Sequence, residues 1–538
     1  MKMYLLLLTV VLPFACKADA AEFVDGFITS VRSSTQFYLG STRVDIEAKA
    51  QCGTTYLDSD IMLLHPSYFG LMPADNKIVL RDDSERGHSV PTPCNATSWH
   101  VGQRVHVVAD PGEGTKVFKA IQVTVYSVTF RHRLDPDPYS GDTDSGLLDE
   151  GHTGVLLEEK PLLRHTASGW EGVISIDGYP ISVDKDISLL EASADTRLEY
   201  KSTSFWGGMK MVPVSKQPPA SMAPDASFSA NTWAAYQGDG FQDGEPYLGR
   251  VELWPNQVSQ RERSFNKRLT PTIVLPDYAE HTDGSIKFAS GSDGTSLAIL
   301  SDGAVQHYVQ RLGESLIPQY QRALPDTDPT KIRFQFLVVQ QIDTRAERYF
   351  YKYLNERLPG SRGFKLPFGK TPAWNEAAVA LPNGLIMISL EILRNLHSEA
   401  ELASLLSYSI TTVIQKQSYL SATAVRVGGG GIRGASYERA IRISIRQLYL
   451  DGYDFRDAPG TWAHAQGKQA NNPVIGSSHP DQSIPWYEAY AFDYISKYYL
   501  DVDYSKLKRG EAEYKESLDE LRKADPAAFA DSSASRNP

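Results

Sequence analysis

The sequence predicts a multidomain protein whose β-rich N-terminal half, built of small barrel-like modules, is followed by an α+β domain. Three observations lead there. From Glu22 to about Val128 no helical period is sustained, and short β-branched or aromatic runs alternate with Gly, Ser, Asn and Asp. The same texture returns around Trp170 to Val183. After about Gly294 apolar residues instead recur at helical spacing.

At the N-terminus, Lys2, the apolar run Met3 to Ala15 and Ala18-Asp19-Ala20 have the three parts of a secretory signal peptide, so residues 1–20 are expected to be a leader and the product secreted or periplasmic. Cys16 sits where a bacterial lipoprotein carries its acylated cysteine, although Pro13-Phe14-Ala15 departs from the usual preceding residues, so lipidation stays open as an alternative. No later apolar stretch reaches the length of a membrane span.

In residues 21–130 the runs Phe27 to Val31, Gln36 to Leu39, Arg43 to Ile46 and Arg104 to Val108 read as strands of a first β-module. Once Cys16 leaves with the leader, Cys52 and Cys94 remain as one pair for an oxidising compartment, and a structural disulfide is expected there rather than a catalytic thiol. Residues 131–152, with Asp135-Pro136-Asp137-Pro138 and Ser140 to Gly146, read as a linker; the carboxylates lack the spacing of an EF-hand loop. A second β-rich module follows over 153–290, where Asp177-Gly178 is the turn of a hairpin between Gly172–Ile176 and Tyr179–Val183.

The α+β domain is assigned to 295–500 and a helical and disordered tail to 501–538. Val305, Tyr308, Val309, Leu312 and Leu316 form a helical stripe, and Phe334 to Val339 a buried strand. Ala377 to Ser389 reads as a hairpin turning at Pro382-Asn383-Gly384. Ser398-Glu399-Ala400-Glu401 has the form of a capping box opening a helix whose buried stripe is Leu402, Leu405, Leu406, Ile410 and Val413.

The segment Asn375-Glu376-Ala377-Ala378-Val379-Ala380-Leu381-Pro382-Asn383-Gly384, the strand after it, and Ser398-Glu399-Ala400-Glu401-Leu402-Ala403 resemble the gluzincin metallopeptidases of the CAAX-prenyl-protease and heat-shock-protease type, metallopeptidase family forty-eight. In that family the helix carries His-Glu-x-x-His; here the matching residues are Tyr408-Ser409-Ile410-Thr411-Thr412. Two histidines four apart share a helical face and grip zinc, and the intervening Glu activates its water. Tyr408 and Thr412 keep the spacing without the chemistry, and Ser409 offers no base. Counting back from Gly452-Tyr453-Asp454, the resemblance puts Arg439 at the third ligand, a Glu in the family, and Ile441 at its supporting Asp. A guanidinium repels a divalent ion. Ser478-His479-Pro480 is similar to a later His-Pro segment of the family.

Elsewhere, no two of the 12 histidines lie within four positions of each other, so each, His397 and His464 included, reads as a surface or core residue unless distant residues converge. Gly429, Gly431 and Gly434 have Gly-x-Gly-x-x-Gly spacing but follow a helix, which makes a loop the expected reading. Arg439, Arg442 and Arg446 recur at helical spacing, as a solvated face or as an anion or peptide-carboxylate site. The net charge of -11 argues against a nucleic-acid partner.

The resemblance, with its motif lost, implies an exported pseudopeptidase without catalytic residues or bound metal. It would bind a peptide or envelope protein through Val379, Ala380 and Leu381 on the hairpin and through Arg442. An active zinc endopeptidase with atypical ligands and a structural envelope protein are the alternatives.

Overall fold

The computed structural model describes residues 22–39, 42–57, 88–91, 94, 99, 104–109, 117–128, 152–156, 162–202, 209–223, 229–242, 245–280, 282–288, 296–340, 378–420, 432–465, 474–477, 491, 494, 495, 499, 502 and 504–524. The leader with Cys16, the linker around Asp135–Gly146, Gly429, Gly431 and the His479-Pro480 segment lie outside them.

The first sheet contains β1 (Glu22–Ser33), β2 (Gln36–Leu39), β3 (Thr42–Leu57), β4 (His88–Pro91), β5 (Arg104–Ala109) and β6 (Val117–Val128), and every run expected from the sequence falls within one of these strands. Tracing the pairings from β1 through β2, β3, β6 and β5 returns to β1, with β3 and β6 parallel and the other contacts antiparallel. Alternate side chains point inward, as a strand requires, and Val24, Ile28, Phe37, Leu39, Val44, Val105, Val107, Val123 and Val125 build its own core.

The second half of the β-rich region contains β7 (His152–Leu156), β8 (Leu162–Thr166), β9 (Gly169–Ile176), β10 (Tyr179–Glu191), β11 (Arg197–Ser202), β12 (Met209–Val214), β13 (Ala220–Ser221), β14 (Thr232–Gln242) and β15 (Glu245–Pro255). β11 and β12 form a separate ribbon; the rest make a sheet ordered β13-β10-β15-β14-β7-β9-β8. Here too the pairings run in a circuit, β7-β9-β10-β15-β14-β7, with β10 and β15 parallel. The β7–β9 link is the single pair Leu156↔Ile176. Where barrel-like modules were expected, the structure has two seven-stranded mixed sheets.

Helix α1 (Gln260–Leu269) leads into the third sheet, formed by β16 (Thr272–Val274), β17 (Gly284–Lys287), β18 (Ser296–Ile299), β19 (Gln335–Val339), β20 (Ala378–Ala380) and β21 (Leu385–Ser389). Its order is β16-β17-β18-β19-β21-β20, and only β19 and β21 pair in parallel. Helix α2 (Gly303–Ser315), capped by Asp302, lies on β19 and bonds it through the buried Gln306, whose amide exchanges hydrogen bonds with Phe336 O and Val338 N. A glycine at 313 permits this approach, because a Cβ there would stand 2.5 Å from the Phe336 ring.

The remaining helices are α3 (Gln319–Ala323), α4 (Leu390–Asn395), α5 (Glu399–Ile414), α6 (Ile432–Leu450), α7 (Ala458–Ala465) and, in the tail, α8 (Glu511–Ala524). The tail helix is docked: Tyr514 is fully buried and donates to Leu393 O on α4. A last strand, β22 (Val474–Ser477), adds to β1 in antiparallel register. Among the described residues no helix is long and apolar enough to cross a membrane.

Candidate functional site

Helix α5 begins as its sequence demands. Ser398 caps it, accepting from Glu401 N at 3.1 Å, while Glu401 reaches back one residue further than a capping box requires, to His397 N at 2.7 Å. The expected stripe Leu402, Leu405, Leu406, Ile410 and Val413 is buried, but so is every other residue of the helix except Thr412. The reason is enclosure: α5 runs through the middle of the domain, against α2, α6, α7, α8 and the β20–β21 hairpin.

The positions matching the peptidase motif are therefore interior. Tyr408 and Ser409 are buried. The Ser409 hydroxyl donates to Leu405 O at 2.9 Å and that of Thr412 to Ser409 O at 2.7 Å, so both are engaged by their own helix.

Across from them, α6 receives a turn from the second β-sheet. Asp177 and Gly178 both have positive φ, 59° and 86°, as the tight turn joining β9 to β10 requires. This turn is inserted against α6. Arg439 Nε donates to Asp177 Oδ2 at 2.7 Å, Arg442 Nη2 to the same oxygen at 3.3 Å, and Arg442 Nε to the Asp177 carbonyl at 3.1 Å. Tyr494 donates to Gly178 O. The side chains of Asp177 and Arg442 are 2% and 3% exposed, and that of Arg439 18%. Burial works against the Arg439 charge, but the Asp177 carboxylate outweighs it and holds the guanidinium above its ordinary range. Burial likewise pushes the Tyr494 phenol well up, keeping it a donor.

The arginines expected as an exposed stripe or anion site are thus turned inward, and the carboxylate that Arg439 and Arg442 hold belongs to the chain itself. Sequence periodicity placed them on one face; it had no means of identifying Asp177, 262 residues away. The residues matched to the family's zinc site do not fit the ion. Arg439 is a cation already paired with Asp177, and no imidazole or carboxylate stands at 408, 409, 412 or 439 to ligate or to accept a proton.

Compared with known proteins, the chain matches no family model and no curated protein.

Val379, Ala380 and Leu381 sit where the hairpin was expected. β20 and β21 pair antiparallel around a turn in which Gly384 takes φ 97°. β20 ends its sheet, and among the described residues β21 is its sole strand partner. Val379 and Ala380 are half-buried, whereas Leu381 is fully buried in a core with Met387 and Leu337. Cys52 and Cys94 form the expected disulfide, tying β3 to the segment after β4.

One cluster is gathered that sequence spacing had set aside. His397, just before α5, Glu401 in its first turn and His464 in the last turn of α7 bring one ligand atom each within 4.8 Å of one another. The imidazole centroids are 4.0 Å apart and His464 Nδ1 lies 2.8 Å from Glu401 Oε1. Burial pushes the His397 pKa down; Glu401 opposes this and His464 adds to it. His397 precedes α5 and His464 ends α7, 67 positions apart in the chain, so a search for short His pairs misses them.

Proposed function

We propose that the chain is an exported, non-catalytic relative of the gluzincin metallopeptidases that binds a peptide or protein partner. The observation that carries this reading is the Asp177 turn on Arg439: where the family resemblance calls for a metal-ligating carboxylate, a cation instead receives a carboxylate from the chain's own β-sheet. That exchange reverses the charge logic of a zinc site and fills the space beside α6 with backbone. The Cys52–Cys94 bond supports export to an oxidising compartment. Among the described residues β20 ends its sheet, which supports partner binding, since a free strand edge accepts an extended peptide by backbone hydrogen bonds.

The test is a proteolysis assay beside a binding assay. Purified chain, incubated with casein and trace zinc, is expected to give no chelator-sensitive cleavage, and an array of extended peptides is expected to bind wild type more strongly than Val379→Lys, which puts a charge on the strand edge. Cleavage abolished by chelator sinks the non-catalytic reading; peptide capture equal in both proteins sinks the role of β20.

A structural envelope role is the second reading, and one feature favours it. Residues of the second β-sheet share one continuous core with the helices, as they would if that part served only to hold the assembly together.

A further inference from the structure

We infer that His397, Glu401 and His464 form a divalent-cation site, with zinc the ion their donors suit, where the start of α5 meets the end of α7. Two imidazoles and one carboxylate are a borderline-soft set of the kind zinc takes with three protein ligands and a solvent position; calcium and magnesium prefer all-oxygen shells. The ligand atoms already lie within 4.8 Å of one another, against the roughly 3.3–3.5 Å between donors that zinc bonds of about 2.0–2.2 Å produce. The adjustment falls on His397, the most exposed of the three residues, while Glu401 and His464 stay in place.

The surroundings prepare the donors. Glu401 uses Oε2 to accept from His397 N, which aims Oε1 at His464, an orienting contact of the kind that fixes metal-ligating carboxylates. His464 sits in the last turn of α7, whose carbonyl end favours a cation. The nearby acidic groups Asp457 and Glu511 are both engaged by Arg509, at 2.9 Å and 2.8 Å, so the basic residue faces them rather than the cluster. The ion would join two helices at the buried N-terminus of α5, two helical turns from Tyr408 and Ser409, and so outside the positions matched to the peptidase motif.

The test uses the full chain after chelator treatment and dialysis, titrated with zinc by calorimetry and with cobalt by visible absorption. Wild type is expected to take up about one equivalent and to melt higher when loaded. His397→Ala, at an exposed position, and His464→Gln, which retains a polar partner for Glu401, are each expected to weaken uptake by at least about tenfold without changing the circular dichroism. Ser409→Ala is expected to leave uptake unchanged. No uptake by folded wild type, or uptake by both histidine variants equal to that of wild type, overturns the site. Zinc-dependent casein cleavage lost in both histidine variants would instead uphold the site and defeat the non-catalytic reading, so the two proposals fail separately.

Discussion

The two β-sheets of the N-terminal half share a strand circuit but not a mode of attachment. In each, a run of three antiparallel strands closes through a parallel contact between its third strand and a later one: β3 with β6 in the first, β10 with β15 in the second. The first sheet encloses a core of its own, stapled by Cys52–Cys94, and meets the later part of the chain through local contacts such as β22 on β1 and Arg456 Nη1 donating to Ile28 O. Among the described residues the second keeps only a small separate cluster, Ala192, Trp233 and Trp254. Its Ile174, Ile176, Leu189, Val251 and Leu253 belong to one cluster with Leu405, Leu406 and Ile441 of the helices. The same strand order therefore yields one unit that carries its own stability and another whose stability is shared. What separates them is where the apolar side chains go.

The Asp177 contact is the sharpest place to break that comparison. Asp177→Asn keeps a residue tolerant of positive φ but removes the charge that pairs with the buried Arg442 and the partly buried Arg439. Deleting one partner of a buried ion pair costs about 3–5 kcal/mol, so urea unfolding followed by signals of the second sheet and the helices should shift together by that amount. The first sheet should be spared. If the helices hold while only the second sheet melts, the shared core does not couple them.

Removing the disulfide reverses the pattern. The Cys52–Cys94 bond closes a separation of 42 residues, for which chain entropy gives about 4 kcal/mol, and engineered removals commonly show about 2–5. Cys52→Ala with Cys94→Ala should raise hydrogen exchange in β1 to β6 and leave the amides of β19, β21 and α5 protected. Gly178→Ala comes next in size. Its Cβ would stand 2.8 Å from Arg442 Cβ and 2.9 Å from its carbonyl carbon, on a backbone with φ 86°, so a loss of about 2–3 kcal/mol is expected in thermal unfolding. An unchanged melting temperature would mean that the turn is not seated on α6.

These effects fall on features of unequal legibility. The hairpin at Pro382-Asn383-Gly384, the capping Ser398 and the inward stripe of α2 were readable because turn chemistry, caps and apolar periodicity act over a few residues. The Asp177-Gly178 turn was readable too, though not its destination. Arg439 and Arg442 look like part of a solvated face until an acid from another sheet reaches them, and a periodic charge pattern carries no record of a partner 262 residues from Arg439. The burial of α5 extends beyond the apolar stripe that its periodicity marks: Ser404, Ser407 and Ser409 lie outside that stripe, yet each hydroxyl donates to a backbone carbonyl, two within the helix and one on Ser444 of α6. His397 and His464 converge only because α7 folds back on the start of α5.

The smallest expected effect concerns acid stability at that same helix start. Glu399 is buried, which disfavours its charge, but hydrogen bonds from Lys508, Tyr308 and Tyr453 outweigh the burial and lower its pKa below the ordinary 4.5. A carboxylate stronger as an acid in the folded state than in the unfolded chain adds stability above the unfolded pKa and loses it as pH falls through the folded value. Wild type should therefore lose this contribution below about pH 4.5, and Glu399→Gln, which cannot ionise, should show a shallower acid limb. The difference should be about 1 kcal/mol or less, since Lys508 is half exposed and solvent screens the pair. Because Glu399 joins α5 to α2 and to the segment before α8 and touches no strand of the first sheet, the change should appear in the helical transition alone. A shift of equal size in the first sheet would mean that acid acts on the whole chain and that the two sheets are less independent than their cores imply.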